Sequence, residues 1–224
     1  MPIPIKQAIK IGTYVMWQKL KGQERYPLVL MLEPLFRCNL ECIGCGKIQK
    51  PNEILNKNLT LDQCFNAANE CNAPVVSIAG GEPLMHPKIV EIVEGLIKQK
   101  RYIYLCTNAL LLKNFLGKLP ISPYLTLSIH LDGLEEDHDR IVDKKGVFKI
   151  AIESVREAKQ MGYRVTSATT FFEGTTVEQA ETFLDFLNPL GLDGVTLSSA
   201  FRYPDAPDQD HFFGRKRTQE FFKE

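Results

Sequence analysis

Short apolar or β-branched runs alternate, from Pro27 onward, with stretches long enough for helices, and this alternation constrains the fold more than any other feature of the chain. The runs at 28–35, 75–79, 102–107, 124–130, 164–171 and 194–199 predict six strands. The stretches at 61–71, 87–98, 110–116, 147–161 and 177–187 predict helices. Thr60 and Thr176 suit N-caps, and Gly162 suits a helix stop. The strands lack a clean polar alternation and each is followed by a crossover, which implies a parallel sheet covered by helices. Six βα units fall short of the eight that close a full barrel. The expected fold is therefore α/β, an open, partial (β/α)6 TIM-like barrel rather than a flat doubly wound sheet.

A chain of 224 residues, 44% of them hydrophobic, can bury one sizeable core, and it shows no repeat, low-complexity tract or long linker. Its 27 basic and 27 acidic side chains cancel, so no net field holds a polyanion and no nucleic-acid partner is expected. The longest apolar run, 28–32, is far shorter than the roughly 18 residues of a membrane span. Lys6, Lys10 and Gly12 interrupt what a signal peptide would keep apolar, which points to the cytoplasm. Residues 1–25 carry Lys6, Lys10, Lys19, Lys21 and Arg25 against Glu24 alone, with Ile5, Ile9, Val15, Met16 and Leu20 near helical spacing. This reads as a basic amphipathic helix that closes one end of the core, ahead of a helix lying on a membrane surface.

Three of the six cysteines fall within eight residues, as Cys38-Asn39-Leu40-Glu41-Cys42-Ile43-Gly44-Cys45, directly after the first strand. Soft thiolates in a C-x3-C-x2-C loop select zinc, copper(I) or an iron–sulfur cluster. A structural zinc site wants a fourth Cys or His nearby, and His86, His130, His138 and His211 are scattered. Cys64 and Cys71 share one face of a predicted helix, where packing is the expected role. Three ligands suit a four-iron cluster with one iron open, and loops after parallel strands face the active end of a barrel. Gly46-Lys47 imitates a P-loop, but Glu41 stands in place of its first glycine and Ile48 in place of its Ser or Thr.

Gly80-Gly81-Glu82-Pro83 follows the second strand. Joined to the cysteine loop one strand earlier, it makes the chain resemble the radical S-adenosylmethionine (SAM) superfamily over roughly residues 28–200. The resemblance implies that Cys38, Cys42 and Cys45 hold a [4Fe-4S] cluster whose free iron takes the amino and carboxylate groups of SAM. It also implies that the turn of Gly80, Gly81, Glu82 and Pro83 orients that amino group, and that Thr107-Asn108 and Ser128 stand where the ribose and carboxylate are held. One electron would then split SAM into methionine and a 5′-deoxyadenosyl radical. Two departures stand out. Gly44 replaces the aromatic residue usual before the last cysteine, so adenine contacts do not carry over to it. The usual Ser-x-Asp-Gly is stretched to Ser128-Ile129-His130-Leu131-Asp132-Gly133, so Ser128 and Asp132 do not both align.

Longer stretches narrow the likeness: 26–38, 44–48, His130-Leu-Asp-Gly-Leu134 with His138-Asp-Arg140, and 206–212. Together they resemble the adenosylhopane synthase family of hopanoid biosynthesis. That likeness implies addition of the deoxyadenosyl radical to the terminal alkene of diploptene, a flavodoxin or ferredoxin electron donor, and a peripheral contact with the inner face of the membrane. Addition leaves a tertiary carbon radical that needs one hydrogen atom. Cys106, near the active end of the third strand, reads alone as a small packing residue, but the weak S–H bond makes it the candidate donor. The expected organisation is an N-terminal helix and lead-in (1–27), the barrel (28–200) and the start of a C-terminal extension cut short (201–224). No cysteine follows Cys106 to ligate a second cluster. Two alternatives stay open: a radical SAM enzyme acting on a peptide or cofactor precursor, and a non-enzymatic zinc or iron–sulfur binding module.

Overall fold

The computed structural model describes residues 3–202, 206, 207 and 209–223. Asp208 of the stretch 206–212, and parts of the terminal segments 1–27 and 201–224, lie outside the described residues. Six strands run β1 (Val29–Leu32), β2 (Val75–Ile78), β3 (Tyr102–Thr107), β4 (Leu125–His130), β5 (Arg164–Phe171) and β6 (Gly194–Ser199). They form one all-parallel sheet in the order β1-β2-β3-β4-β5-β6. The chain curls this sheet into the expected open half-barrel. Helices α1 (Ile5–Leu20), α2 (Asn52–Leu55), α3 (Leu61–Cys71), α4 (Ile89–Lys98), α5 (Glu135–Ile141), α6 (Val147–Gln160), α7 (Val177–Leu187) and α8 (Arg215–Phe221) complete it.

Local chemistry accounts for the boundaries. Thr60 and Thr176 each accept from the backbone N–H three residues on, and Gln63 and Gln179 reach back to the threonine N–H, so α3 and α7 both open with a capping box. Gly162, at φ 91°, follows α6 in the left-handed region. β1 ends at Leu32, short of the predicted 35, because Pro34 has no N–H for the ladder. The predicted helix at 110–116 is only a 3-10 turn, Leu112–Asn114. Ala109 enters it at φ 65°, and Gly117 (φ 84°) and Pro120 stop the segment before an α-helix can form.

β4 reads Leu125-Thr126-Leu127-Ser128-Ile129-His130, a strict alternation where no clean polar alternation was expected. Leu125, Leu127 and Ile129 join Ile103, Leu105 and Val165 in the core under α4 and α6. The opposite parity faces the lumen, where Cys106, Ser128 and Thr166 pair across three strands and His130 lies beside Ala168. The barrel interior is therefore small and polar in its middle, with its apolar core outside the sheet. Cys64 is fully buried in that core, which is the packing role expected of it.

α1 lies across the N-terminal ends of the strands. Gln7 Nε2 donates to the Tyr104 hydroxyl at 3.3 Å, Lys10 Nζ donates to the Lys100 carbonyl and stands over the Tyr102 and Tyr124 rings, and Tyr14 packs edge-on against Tyr26. The helix closes one end of the barrel as expected, but it docks by polar and aromatic contacts. Gln7 is its one buried residue, and Ile5, Ile9, Met16 and Leu20 point outward.

Candidate active site

A cavity of about 350 Å³ opens at the C-terminal ends of the strands, opposite α1. It is lined by Cys38, Cys42 and Cys45 on one wall, by Gly80, Gly81 and Glu82 on the next, and by Cys106, Asn108, Ser128, His130 and Asp132 beyond. All three loop cysteines are free thiols. Burial, then the charges of Glu82 and Cys45, pushes Cys38 up to about 11, and burial, then the charges of Cys38, Cys45 and Asp132, pushes Cys42 up to about 12.

The cysteine loop owes its path to the two glycines. Ala79 N–H donates to Leu32 O, Gly81 N–H to Leu35 O and Glu82 N–H to Arg37 O, at 2.9–3.0 Å, so the second loop is zipped along the first. A Cβ on Gly81 would lie well inside 3.0 Å of the Arg37 and Phe36 carbonyl oxygens, and one on Gly80, at φ 113°, would meet the Leu35 oxygen. Backbone atoms do not swing aside. Gly81→Ala is therefore expected to cost at least about 2 kcal/mol of stability in the metal-free protein, read as a fall in the urea midpoint. A midpoint equal to the parent's would show that the two loops part freely.

Glu82 is buried and straps this turn to β3. Its Oε1 accepts from Leu84 N–H (3.0 Å) and the Thr107 hydroxyl (2.8 Å), and its Oε2 accepts from Asn108 N–H (2.9 Å). Burial raises its carboxyl pKa, and these three donors work against that rise. Pro83 starts the 3-10 turn Pro83–Met85. The Asn108 amide donates to Asn39 Oδ1 at 2.8 Å and approaches Cys38 Sγ at 3.7 Å, so it supports the cysteine loop from across the cavity. Cys106, whose direction strand parity alone left open, faces the lumen with its sulfur 3.5 Å from Ser77 Oγ and beside Ser128.

The structure adds a pair that the sequence reading left without a role. His130 Nε2 hydrogen-bonds Asp132 Oδ2, Asp132 Oδ1 accepts from Thr170 N–H at 2.7 Å, and Asp132 N–H donates to His138 Nδ1 at 3.1 Å. Burial opposes charge on His130, but Asp132 outweighs it and raises the pKa. His138 is wholly buried, and burial followed by the nearby His130 drives it down to about 4. The unfolded imidazole binds its proton near pH 6.5 while the folded one stays neutral, so stability falls with pH between those values. We expect a loss of about 2 kcal/mol from this residue between pH 7 and pH 5. Urea titrations should show His138→Asn, which retains an acceptor for Asp132, losing less than the parent over that interval. Equal slopes would refute the assignment.

Gly44, at φ 71°, has a reason to be glycine. A Cβ there would fall inside 3.0 Å of the Phe212 ring, which packs near Phe172 on the cavity rim. An aromatic side chain at position 44 has no room, because the segment after β6 brings its own.

The donor set fits an iron–sulfur cluster: three soft thiols on one wall of a cavity, with space beside them. Among the described residues no group of three or more His, Cys, Asp or Glu could hold a single metal ion. A cluster is wider than one ion and takes its thiolates farther apart. A sequence model of the radical SAM superfamily matches residues 32–187. The chain belongs to the radical SAM superfamily. Members of that superfamily use a [4Fe-4S] cluster and SAM. GTP 3′,8-cyclase of Petrotoga mobilis is 28% identical over 156 residues, 66% of this chain and 48% of that relative. GTP 3′,8-cyclase of Thermodesulfovibrio yellowstonii is 28% identical over 162 residues, 69% of this chain and 50% of the relative. The chain thus spans about half the length of the curated relatives it matches. Streptococcus suis SuiB bound to SAM superposes with a TM-score of 0.73 at 18% identity, over 94% of this chain and 50% of SuiB. SuiB bound to precursor peptide SuiA gives 0.71 at 19% identity, over 94% and 48%. At these identities the likeness to SuiB is one of fold. No helix among the described residues is long and apolar enough to cross a membrane.

Proposed function

We propose that this chain is a radical SAM enzyme in which Cys38, Cys42 and Cys45 hold the cluster, and that its substrate is an uncharged alkene of the hopanoid type, diploptene or a near relative. When bound, the cluster with SAM supplies a 5′-deoxyadenosyl radical, which adds to the alkene carbon. The observation that carries the substrate class is the cavity lining. It contains no Lys or Arg among the described residues, so a polyphosphate finds no cation to pair with beyond the Asp132-bound His130. Gly80, Gly81 and Glu82 shape the wall beside the cysteines, Pro83 starts the turn behind them, and Asn108 and Ser128 line the cavity where the rest of SAM would lie. Cys106 is the hydrogen donor in this reading. A substrate that lives in bilayers also implies a peripheral contact with the inner face of the membrane, and electrons from a flavodoxin or ferredoxin.

A second reading keeps the radical chemistry but assigns a peptide or cofactor precursor. The GTP 3′,8-cyclases among the relatives, and the peptide-bound SuiB among the structural neighbours, favour it. Anaerobic incubation of the reconstituted protein with SAM, reductant and either diploptene or GTP separates the two. Mass spectrometry of the lipid fraction should show diploptene gaining an adenosyl group and one hydrogen atom. Conversion of GTP with no adenosylated lipid would overturn the hopanoid reading.

A further inference from the structure

The outward face of α1 has no part in the chemistry above. At 3.6 residues per turn, Ile5, Met16, Ile9 and Leu20 fall within an arc of about 60°. Gln7 and Tyr14, which dock on the barrel, lie on the far side of the helix. The four stripe residues are each between 59% and 76% exposed, and Trp17 beside them is 57% exposed. Isolated exposed apolar side chains are ordinary, but four in one row on a helix that turns its polar side to its own protein are not.

Charge indicates what covers the row. Lys6 and Lys19 flank it on opposite sides, and the Lys21 ammonium stands 5.1 Å over the Trp17 ring. The first acid in the chain is Glu24, so nothing in the helix neutralises these lysines. A second copy of the chain would set Lys6 and Lys19 against their own kind with no carboxylate between them. An anionic lipid surface offers an apolar interior for the isoleucines, methionine and leucine, headgroup depth for the tryptophan and negative charge for the lysines.

We propose that the outward face of α1, centred on Ile5, Ile9, Met16 and Leu20 and flanked by Lys6 and Lys19, docks the protein on an anionic lipid bilayer. The proposal goes beyond the hopanoid reading and stands on the helix's own surface, so it holds equally for an alkene, a peptide or a nucleotide substrate. Because α1 crosses the N-terminal ends of the strands and the cavity opens at the other end, docking gathers the protein at the bilayer while its cavity faces away.

Flotation of the full chain, without SAM or reductant, with phosphatidylcholine vesicles containing about a third phosphatidylglycerol tests the surface directly. Binding should be strong at low salt, weaken as salt rises, and be slight on phosphatidylcholine alone. The exposed double variant Ile9→Asp/Met16→Asp should bind at least about tenfold more weakly while its circular dichroism and urea midpoint match the parent. Lys6→Gln/Lys19→Gln should lose the preference for the anionic lipid and keep the fold. Parent-like binding by the Asp variant, or indifference of the parent to lipid charge, would overturn the proposal. So would a dimer that the Asp variant dissociates in sedimentation while vesicle binding is unchanged, since the face would then join two copies. Failure of diploptene as substrate, read in the separate product assay, leaves these outcomes untouched.

Discussion

Replacing any one of Cys38, Cys42 or Cys45 with alanine is expected to cost the protein its cluster and its SAM cleavage together. Each thiolate is one of three anchors, and the cavity wall places no other thiol within the loop to replace it. Cys106 lies on β3, within hydrogen-bond reach of Ser77, and Cys64 is sealed in the core. The loss should therefore exceed the roughly hundredfold that supporting residues around a metal site are worth. Two further features sharpen the expectation. Burial holds Cys38 and Cys42 protonated in the metal-free protein, so metal loading has to displace their protons and should speed up as pH rises. The loop is also fixed through its backbone by Gly81 and Glu82, so the alanine variants should keep the parent's fold while losing the iron. Iron and sulfide analysis, the visible absorption of the reconstituted protein, and methionine release measured anaerobically form the test. A single variant that keeps full cluster absorption and full cleavage would remove these cysteines from the assignment.

The strands, their parallel order and the cysteine loop were legible in the sequence because each rests on a local rule: apolar runs at a repeating interval, threonine caps, a spacing of three thiols. What escaped notice was mostly non-local. Glu82 reads as part of a turn motif, yet its carboxylate spends itself on Leu84, Thr107 and Asn108, 25 and 26 residues away for the last two. Gly44 reads as a departure from pattern until Phe212, from the far end of the chain, is seen to occupy its space. The helix at 110–116 failed because composition says nothing of Ala109 adopting a left-handed backbone before it. The polar lumen, by contrast, has a local signal. The strict alternation of residues 125–130 already separates Ser128 and His130 from the core, and Asp132 sits two positions beyond His130, close enough to hold it. For α1 the helix and its place at one end of the barrel were legible, but its apolar row faces away from the barrel, because helical spacing does not say whether an apolar side meets its own protein or something else.

Cys106→Ala is expected to uncouple radical formation from product formation. On the reading that the adenosyl radical adds to an alkene, the adduct is a tertiary carbon radical, and its quenching forms one C–H bond while breaking one S–H bond. The S–H bond is the weaker of the two, so the transfer runs downhill. The structure gives Cys106 the position for it, on the lumen face of β3 among the residues that line the same cavity as Cys38, Cys42 and Cys45. Burial raises its pKa, so the sulfur keeps the hydrogen it has to give. The thiyl radical left behind is restored by one electron from a flavodoxin- or ferredoxin-type donor and one proton from solvent. Saturated adenosylated lipid should fall on the order of a hundredfold in Cys106→Ala, because losing a positioned reactant returns the quenching to chance encounter. Methionine release should continue near the parental rate, with products oxidised at the radical carbon appearing in place of the saturated one. Cys106→Ser sharpens the test, since it keeps a polar group beside Ser77 and Ser128 but offers an O–H bond too strong to donate from. A serine variant that makes saturated product at the parental rate would mean that Cys106 only packs, and that the hydrogen comes from elsewhere.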